Sequence, residues 1–376
     1  MKISSNFDSG NIEIVGAENA DNIQLKIRKD THSEFFQWFH FRVQECKDIP
    51  CVMRIENAGE SSYVEGWEGY NAVASYDRHT WFRVPSSFDG KELTIKHTPQ
   101  FDSVYYAYFA PYSLERLNDF ISSAQLSERC ELIFLGETVQ KRDLNMLKIG
   151  EDGKEKKKIW LIARQHPGES MASWFMEGCI ERLLDEDDAL VKSLLDECVF
   201  YIVPHMNPDG SYVGNLRSNA AGANLNREWE TPSLEKSPEV FHVRNKMDEI
   251  GVDVFLDVHG DEALPYNFVA GAEGNPSYSD NIKTLEDTFK DAFMDITPDF
   301  QDTYGYDKDE PGKGNLTIAC NQIGERFNCL SFTIEMPFKD NADVPDNVFG
   351  WSPIRCNQLG EAVLYPIKKV LPLIKR

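Results

Sequence analysis

The stretch KIWLIARQHPGES, residues 158–170, runs from a continuous apolar segment into a turn that carries a histidine and a glutamate. Near-continuous apolar runs are typical of strands that helices cover on both faces. Open α/β sheets place their chemistry in the loops that follow such strands. A Pro-Gly pair turns the chain between His166 and Glu169, so both side chains can converge on a single ion. On its own the pair also fits the start of a helix, so the rest of the chain must decide between the two.

Apolar runs of the same kind recur between residues 131 and 336. Segments with the apolar spacing of helices separate them, for example at 171–184 and 190–195. The first helical segment, at 114–121, follows Pro111 and Ser113, as is common where a helix begins. This alternation predicts an α/β domain with a mixed sheet over residues 113–376. Its predicted strands are ELIFLG (131–136), NMLKIG (145–150), KIWLIA (158–163), CVFYIVP (198–204), VDVFLDV (252–258) and LSFTIEM (330–336).

Residues 1–112 carry a different pattern. Apolar and polar residues alternate with a period of two, as in half-buried antiparallel strands. Turn-forming segments such as 57–59 and 85–87 separate these runs. We therefore predict an N-terminal antiparallel β-sandwich domain. Its strand segments are IQLKI (23–27), FHFRV (39–43), AVASY (72–76), WFRV (81–84), LTIKH (93–97) and VYYAYFA (104–110).

Composition limits the kind of partner that the chain can bind. The 376 residues include 62 acidic and 39 basic side chains, which gives a formal net charge of -23. Sequence-independent binding to nucleic acid or to an anionic membrane needs clustered Lys and Arg. The dense basic run at 154–158 is short and sits beside a turn. We therefore expect neither nucleic acid nor membrane as a partner.

The sequence gives no indication of export. Its first residues, MKISSNFDSGNIEIV, lack the apolar stretch of a signal peptide, and no apolar run approaches the length of a membrane span. The eight cysteines are scattered, without the spacing of a disulfide framework. We therefore expect reduced thiols in a cytoplasmic protein. The oligomeric state is not encoded in any pattern that we recognise.

A metal site at the turn needs a further ligand from another strand end. His259 follows VDVFLDV, and Gly260 after it lets the backbone bend away. With His166 and Glu169 it makes a His₂Glu set with one position left for water, which is the pattern of a catalytic Zn²⁺ site. His205, which ends another strand before a Pro-Asp-Gly turn, is the competing third ligand.

Three further side chains suit hydrolysis at such a site. Glu335 ends LSFTI among apolar neighbours, which raise the pKa of a carboxylate toward the range of a general base. Its structural alternative is an ion pair at the strand end. Arg217 and Arg227 lie in a segment poor in apolar anchors, and a guanidinium can grip a substrate carboxylate with two hydrogen bonds. Salt bridges to the acidic surface are the alternative for both arginines.

Together these segments resemble the zinc metallocarboxypeptidases of the M14 family, and in detail the cytosolic carboxypeptidase branch of that family. The reactive residues follow the family's order: His-x-x-Glu, Arg, Asn-Arg, His and Glu. In that branch a β-sandwich precedes the peptidase domain, as in the division predicted above. The resemblance spans essentially the whole chain and rests on YFAPYS (108–113), RQHPGES (164–170), NPDG (207–210), RSNAAGANLNREW (217–229), DVHG (257–260) and TIEMP (333–337).

The resemblance implies zinc-dependent hydrolysis of the C-terminal peptide bond of a peptide or protein tail. His166, Glu169 and His259 match the family's ligands of one zinc ion. Glu335 matches the glutamate that takes a proton from water and passes it to the leaving amine. Arg217 matches the arginine that stabilises the oxyanion.

The resemblance also bears on the substrate. Asn226 and Arg227 match the pair that binds the C-terminal carboxylate. The branch is associated with removal of glutamate from acidic tails, so an acidic preference is a further expectation. By family analogy, the region that contains Lys308, Lys313 and Arg326 helps to form the side-chain pocket.

One residue departs from the family pattern, and one role has no matching motif. Asn224 stands two residues before the Asn-Arg pair, where the family has an Asp that supports a metal-binding histidine. An amide oxygen is a weaker acceptor than a carboxylate, so metal affinity or activity is expected to be lower. For the tyrosine that caps the substrate, Tyr304 and Tyr306 are both candidates.

Two other functions are compatible with parts of the pattern. A deacylase of N-acyl amino acids, similar to aspartoacylase, would share the His-x-x-Glu motif, but it would not need the sandwich or the NPDG and FAPYS segments. A protein that binds C-terminal tails without cleaving them would have no use for the base Glu335.

Overall fold

A computed structural model describes residues 1–375 of the chain. An all-β N-terminal part is followed by a part in which strands alternate with helices, which is the predicted order. The strands are β1 (Lys2–Ser4), β2 (Glu13–Gly16), β3 (Ile23–Lys26), β4 (His40–Gln44), β5 (Cys51–Ile55), β6 (Ala72–Ser75), β7 (Phe82–Val84), β8 (Ser86–Phe88), β9 (Leu93–His97), β10 (Ser103–Ala107), β11 (Cys130–Glu137), β12 (Asp143–Ile149), β13 (Lys157–Ala163), β14 (Cys198–Val203), β15 (Val254–Val258), β16 (Phe268–Ala270) and β17 (Leu330–Glu335). The helices are α1 (Leu114–Ala124), α2 (Met171–Leu184), α3 (Ala189–Glu197), α4 (Pro208–Val213), α5 (Pro238–Ile250), α6 (Asp280–Ile296), α7 (Ala319–Phe327), α8 (Pro353–Ala362) and α9 (Leu364–Val370).

The N-terminal part consists of two five-stranded sheets, with strand orders β1-β4-β10-β6-β7 and β2-β3-β5-β9-β8. Buried residues from both sheets share one apolar core. In β5, Cys51, Met53 and Ile55 are buried while the residues between them are partly exposed, as the alternating sequence pattern predicts. The predicted sandwich is thus confirmed, with one departure. Strands β3 and β5 run parallel, because β4, which lies between them in the chain, belongs to the other sheet.

The C-terminal part is built on one mixed sheet of seven strands, in the order β11-β12-β14-β13-β15-β17-β16. The four strands β14, β13, β15 and β17 are mutually parallel, whereas β11, β12 and β16 pair antiparallel. Every residue of β14, β15 and β17 is buried, as expected for strands with helices on both faces. The predicted mixed-sheet α/β fold is therefore confirmed.

The parallel strands bring three strand ends to one edge of the sheet. Ala163 at the end of β13 lies opposite Val258 of β15, and Val258 lies opposite Ile334 of β17. The turn at 164–170 and His259 therefore begin side by side, next to the last residue of β17.

Two glycines fix the helix that follows this turn. A Cβ on Gly178 of α2 would lie 2.2 Å from the carbonyl oxygen of Asn357, and a Cβ on Gly360 of α8 would lie 2.0 Å from that of Phe175. Neither position has room for a side chain, so the backbones of α2 and α8 pack in near contact. Because α2 begins directly after Ser170, this packing also positions the turn that carries His166 and Glu169.

Helix α1 marks the change from sandwich to α/β architecture. It begins at Leu114, and the Ser113 side chain caps it by accepting a hydrogen bond from the backbone N–H of Arg116. The domain boundary at residue 112 itself stays a prediction. All eight cysteines lie within the described residues and are unpaired. Across residues 1–375, no helix is long and apolar enough to cross a bilayer.

Arg83 of β7 joins the two parts of the chain next to the end of β17. Its guanidinium donates to the backbone carbonyls of Phe338, Lys339 and Trp351, at 2.8, 2.9 and 3.1 Å. Beside it the ring of Tyr108 stacks on Phe338, with 4.4 Å between the ring centroids. The segment after Glu335 is thus held by the sandwich.

Replacing Arg83 with Met should lower the free energy of unfolding by about 3 kcal/mol, because it leaves these carbonyls without a charged donor. Urea denaturation measures the change. Arg54→Met is a matched control, because that guanidinium lies 4.0 Å from Glu92 at a partly exposed position of the same part; its effect should stay within about 0.5 kcal/mol. Equal stability of the two variants would contradict the assignment of Arg83 as a link.

Candidate active site

The strand ends open into a cavity of about 680 Å³. Residues from both parts of the chain form its wall. The seven residues that the sequence singled out for catalysis, substrate binding or metal binding all lie on this wall: His166, Glu169, Arg217, Asn226, Arg227, His259 and Glu335. The fold therefore brings together side chains that come from four separate segments of the sequence.

Three buried side chains present metal-binding atoms to one another. Nδ1 of His166 lies 2.7 Å from Oε1 of Glu169, and Nδ1 of His259 lies 2.8 Å from Oε2 of the same carboxylate. The two Nδ1 atoms are 3.1 Å apart. Ligands bound to a tetrahedral zinc ion lie roughly 3.3 Å from each other, so this His₂Glu set fits a zinc ion.

His205, the competing ligand, lies elsewhere. Its Nδ1 accepts a hydrogen bond of 3.1 Å from the backbone N–H of Asn207, and it borders a different cavity. The imidazole of His205 is therefore hydrogen-bonded within the turn that follows β14.

The protonation of His166, Glu169 and His259 follows from burial and from their neighbours. Burial, reinforced by Arg217, lowers the pKa of His166 to about 4, so its imidazole is neutral and free to ligate. Burial alone would lower the pKa of His259, but Asp257 and Glu169 raise it well above its usual value. Burial would raise the pKa of Glu169, but the two imidazoles hold it well below its usual value. A divalent cation would replace the proton that these groups share.

Both imidazoles of the cluster have an acceptor at the nitrogen that points away from Glu169. Nε2 of His166 lies 3.0 Å from Oδ1 of Asn224, and Nε2 of His259 lies 2.8 Å from Oδ2 of Asp257. Such contacts fix the ring and its tautomer and leave Nδ1 for a metal. Asn224 therefore makes the contact that the resemblance led us to expect from an Asp.

The residues that hold Asp257 in place were not predicted from the sequence. Nε2 of Gln165 donates to Oδ2 of Asp257 at 2.6 Å, and the indole N–H of Trp229 donates to Oε1 of Gln165 at 2.8 Å. These hydrogen bonds hold the carboxylate that orients His259. Gln165 and Trp229 stand inside the quoted motifs, but their contact joins positions 64 residues apart.

The two arginines reach the cavity without an ion pair of their own among residues 1–375, so the structure does not support the alternative of surface salt bridges. The guanidinium carbon of Arg217 lies 5.3 Å from the ring centroid of Tyr63. Nη1 of Arg227 donates to the backbone oxygen of Asn226 at 2.7 Å. Oδ1 of Asn226 accepts from the backbone N–H of Ala319 at 2.8 Å, which anchors its amide at the start of α7.

Glu335 is buried and has an oxygen to spare. Its side chain is 6% exposed, and within the described part of the chain its Oε2 has no hydrogen-bond partner. Burial raises its pKa well above the usual value. No basic side chain among residues 1–375 forms an ion pair with it, so the structural alternative for this residue is not supported. A carboxylate in this state suits the acceptance of a proton from water.

Of the three basic residues expected near the side-chain pocket, one lies on the cavity wall. Lys308 borders the cavity and forms an ion pair of 2.8 Å with Glu273. Lys313 does not border it, and Arg326 instead forms an ion pair of 2.6 Å with Asp248. A basic residue close in sequence to the pocket need not point into it.

Both tyrosines that are candidates for the substrate cap lie on the wall. Oη of Tyr306 donates to Asp261 at 2.7 Å, and the ring of Tyr304 stacks on Tyr266 at 4.4 Å. The sandwich also contributes Tyr63, together with its neighbour Glu65, to the wall. Nothing local in a β-sandwich segment indicates contact with a distant loop, so this contribution is not predictable from the sequence pattern.

Comparison with known families agrees with the predicted family and fold. The model of the cytosolic carboxypeptidase N-terminal domain matches residues 3–109, and the model of the M14 zinc carboxypeptidases matches residues 120–353. The chain belongs to the zinc carboxypeptidase family. The predicted membership in its cytosolic carboxypeptidase branch, and with it the prediction of a metallocarboxypeptidase, is confirmed.

Individual relatives cover nearly the whole chain. An uncharacterized protein of Zymomonas mobilis is 46% identical over 99% of this chain and 98% of its own length. Cytosolic carboxypeptidase 6 of Caenorhabditis elegans is 28% identical over 90% of this chain and 79% of its own length. Two solved structures are a metallo-carboxypeptidase from Burkholderia cenocepacia, with 49% identity and a TM-score of 0.96 over 99% of both chains, and one from Pseudomonas aeruginosa in complex with (2-guanidinoethylmercapto)succinic acid, with 46% identity and a TM-score of 0.98 over 100% of both chains.

Replacing Asn224 with Asp should tighten zinc binding about tenfold, because a carboxylate is a stronger acceptor for the Nε2 proton of His166. Competition with a chromophoric chelator measures the affinity at a fixed pH. Asn315→Asp, in an exposed loop, adds the same charge away from His166 and should leave the affinity unchanged. An affinity of N224D equal to that of the wild type would show that the amide already orients the ring fully.

Proposed function

We propose that the protein is a zinc-dependent carboxypeptidase that hydrolyses the last peptide bond of peptides or protein tails. The observation that carries the proposal is that one cavity holds the His₂Glu cluster, an oxygen of Glu335 without a hydrogen-bond partner, and two arginines that form no ion pair within residues 1–375. The named relatives are cytosolic carboxypeptidases, and we place this chain in the same compartment.

His166, Glu169 and His259 hold one zinc ion in this proposal. Zinc bound there supplies a Lewis acid for the scissile carbonyl and acidifies a water molecule. The hydrogen bonds of Asn224 and Asp257 keep both imidazoles turned toward the ion. The protein's own contribution is thus a preformed, buried ligand set.

Asn226 and Arg227 select the end of the substrate chain. A guanidinium and an amide can bind a terminal carboxylate, whereas an internal peptide offers no such anion. The ligand of the Pseudomonas relative is a succinic acid derivative with a guanidine group. Its carboxylates are groups that Arg227 would bind, which supports an anchor for a carboxylate in this cavity.

Glu335 and Arg217 carry the reaction at the scissile bond. Glu335 accepts a proton from the attacking water and then donates it to the leaving amine, for which its raised pKa is suited. The guanidinium of Arg217 donates to the oxyanion as the carbonyl becomes tetrahedral. Loss of one such donor lowers the rate by a factor on the order of 10²–10³.

The wall of the cavity bears on the expected acidic preference. Lys308 is paired with Glu273, and Lys290 is paired with Asp302 at 3.1 Å. Both lysines on the wall are therefore neutralised. An acidic C-terminal residue forms an ion pair with Lys308 when it displaces Glu273 from that lysine. Preference for glutamate thus depends on the strength of that one ion pair.

A panel of peptides that differ only in the last residue tests the reaction, with mass spectrometry of the products. The zinc-loaded wild type should release single C-terminal residues and leave C-terminally amidated peptides intact. Glu335→Gln should keep its zinc and lose at least about 10²-fold in kcat/KM, because the proton acceptor is gone. Glu361→Gln, on an exposed part of α8, is the matched control with full activity.

Other outcomes point to the two alternative functions. Hydrolysis of N-acyl amino acids with no action on peptides would assign a deacylase. Binding of peptide tails by the zinc-loaded wild type, with no product released from any peptide, would assign a binding protein. Either result would overturn the proposed carboxypeptidase.

Glu273→Gln should raise the ratio of kcat/KM for peptides ending in Glu over those ending in Lys by a factor on the order of ten, because it frees Lys308. Steady-state rates on the two peptides give this ratio. Glu310→Gln removes a carboxylate from the same loop as Lys308 but off the cavity wall, and should leave the ratio unchanged. A ratio that falls in E273Q would show that Glu273 itself does not restrain Lys308.

A further inference from the structure

The segment that carries Arg217 is held by a carboxylate of the sandwich. Asp30, in the loop between β3 and β4, accepts three hydrogen bonds from successive backbone N–H groups. Its Oδ1 accepts from Leu216 at 2.6 Å, and its Oδ2 accepts from Arg217 and Ser218 at 2.8 Å each. Successive N–H groups that converge in this way form a concave binding site for an anion, and here the anion belongs to the protein.

Neighbouring contacts make this junction continuous with the metal turn. The carbonyl of Leu216 accepts a hydrogen bond of 2.8 Å from the backbone N–H of Gly168, inside the turn that carries two zinc ligands. Next to Asp30, the backbone N–H of Thr31 donates to Oδ1 of Asn215 at 3.0 Å. A displacement of the segment 215–218 would therefore act directly on the wall of the cavity.

The Arg217 side chain is also placed by the sandwich. Its guanidinium carbon lies 5.7 Å from the ring centroid of Phe35 and 5.3 Å from that of Tyr63. Phe35 closes the loop that begins at Asp30, because its carbonyl accepts the backbone N–H of Asp30 at 2.8 Å. One loop therefore holds the arginine at both its backbone and its guanidinium.

Asp30 is an unusual acceptor for a purely structural link. It is 4% exposed, and no cation among residues 1–375 forms an ion pair with it. Burial raises its pKa to about 6, although the three backbone hydrogen bonds act in the opposite direction. A buried carboxylate without a counter-ion is disfavoured by desolvation, and such local conflicts are expected mainly at functional sites.

We propose that Asp30 is a positioning residue that sets Arg217 for catalysis. The inference rests on the proposed function, in which Arg217 stabilises the oxyanion. Asp30 does not border the cavity, so it acts through the backbone of residues 216–218. The sandwich thereby takes part in the reaction step, not only in forming the cavity wall.

A double-mutant cycle tests this role. Asp30→Asn keeps the size of the side chain but replaces one acceptor oxygen with an amide donor. It should lower kcat by a factor on the order of 10², with a smaller change in KM, because the arginine is displaced from the transition state. In an Arg217→Ala background the same change should alter kcat less than about threefold. Asp89→Asn is the matched control, since Asp89 accepts two backbone N–H groups in an exposed turn of the sandwich.

Hydrogen exchange of the wild type and the D30N variant provides a readout that does not depend on activity. Peptides that span 214–218 should lose protection in D30N, while those from β13 and β15 keep it. If D30N unfolds at the assay temperature, the conservative variant Asp30→Glu is used in the same cycle, and its kcat is expected to fall as well.

The possible failures can be told apart. Equal losses of kcat from D30N in the wild-type and R217A backgrounds would overturn the positioning role and leave the carboxypeptidase standing. Unchanged protection at 214–218 would overturn it too. A zinc-loaded wild type without peptidase activity would instead remove the proposed function, and the role of Asp30 in catalysis with it.

Discussion

The parallel pairing of β13, β15 and β17 is the constraint on which the site depends. Parallel strands end at the same edge of a sheet, and here their ends lie side by side through Ala163, Val258 and Ile334. Apart from the first two residues of β13, every residue of these strands is buried, so their positions are fixed by packing on both faces. A shift of one residue in the register of any of them would move His166, His259 or Glu335 by about 3.3 Å. That distance is greater than the separation of the metal-binding atoms.

The site contains several buried carboxylates, and they differ in the partners that offset their charge. The carboxylate of Asp257 is matched by His259 and Gln165. Glu335 has no such partner in the described structure, and burial raises its pKa well above the usual value. Burial raises the pKa of both carboxylates, so the contact with His259, and not the direction of the pKa shift, distinguishes Asp257 from Glu335.

The sequence patterns succeed where the determining interaction is local. Alternating residues predicted the sandwich strands, apolar runs predicted the buried ones, and a short motif placed His166 and Glu169 on one turn. They fail where partners meet only through tertiary structure. Arg326 stands close to the pocket in sequence but contacts Asp248, and the hydrogen bonds of Asp30 reach 186 residues or more along the chain. No residue pattern near position 30 indicates that contact.

Hydrogen bonds cross the interface between the two parts of the chain in both directions. Arg83 donates from the sandwich to carbonyls beyond β17, and Asp30 accepts from amides of the other part. If either part unfolded alone, the other would lose these hydrogen bonds and would expose to water the apolar surface that it buries against its partner, such as the stacked rings of Tyr108 and Phe338. The two parts should therefore melt in a single cooperative transition. Removal of the sandwich should therefore destabilise the rest of the chain and not leave it as an independent module.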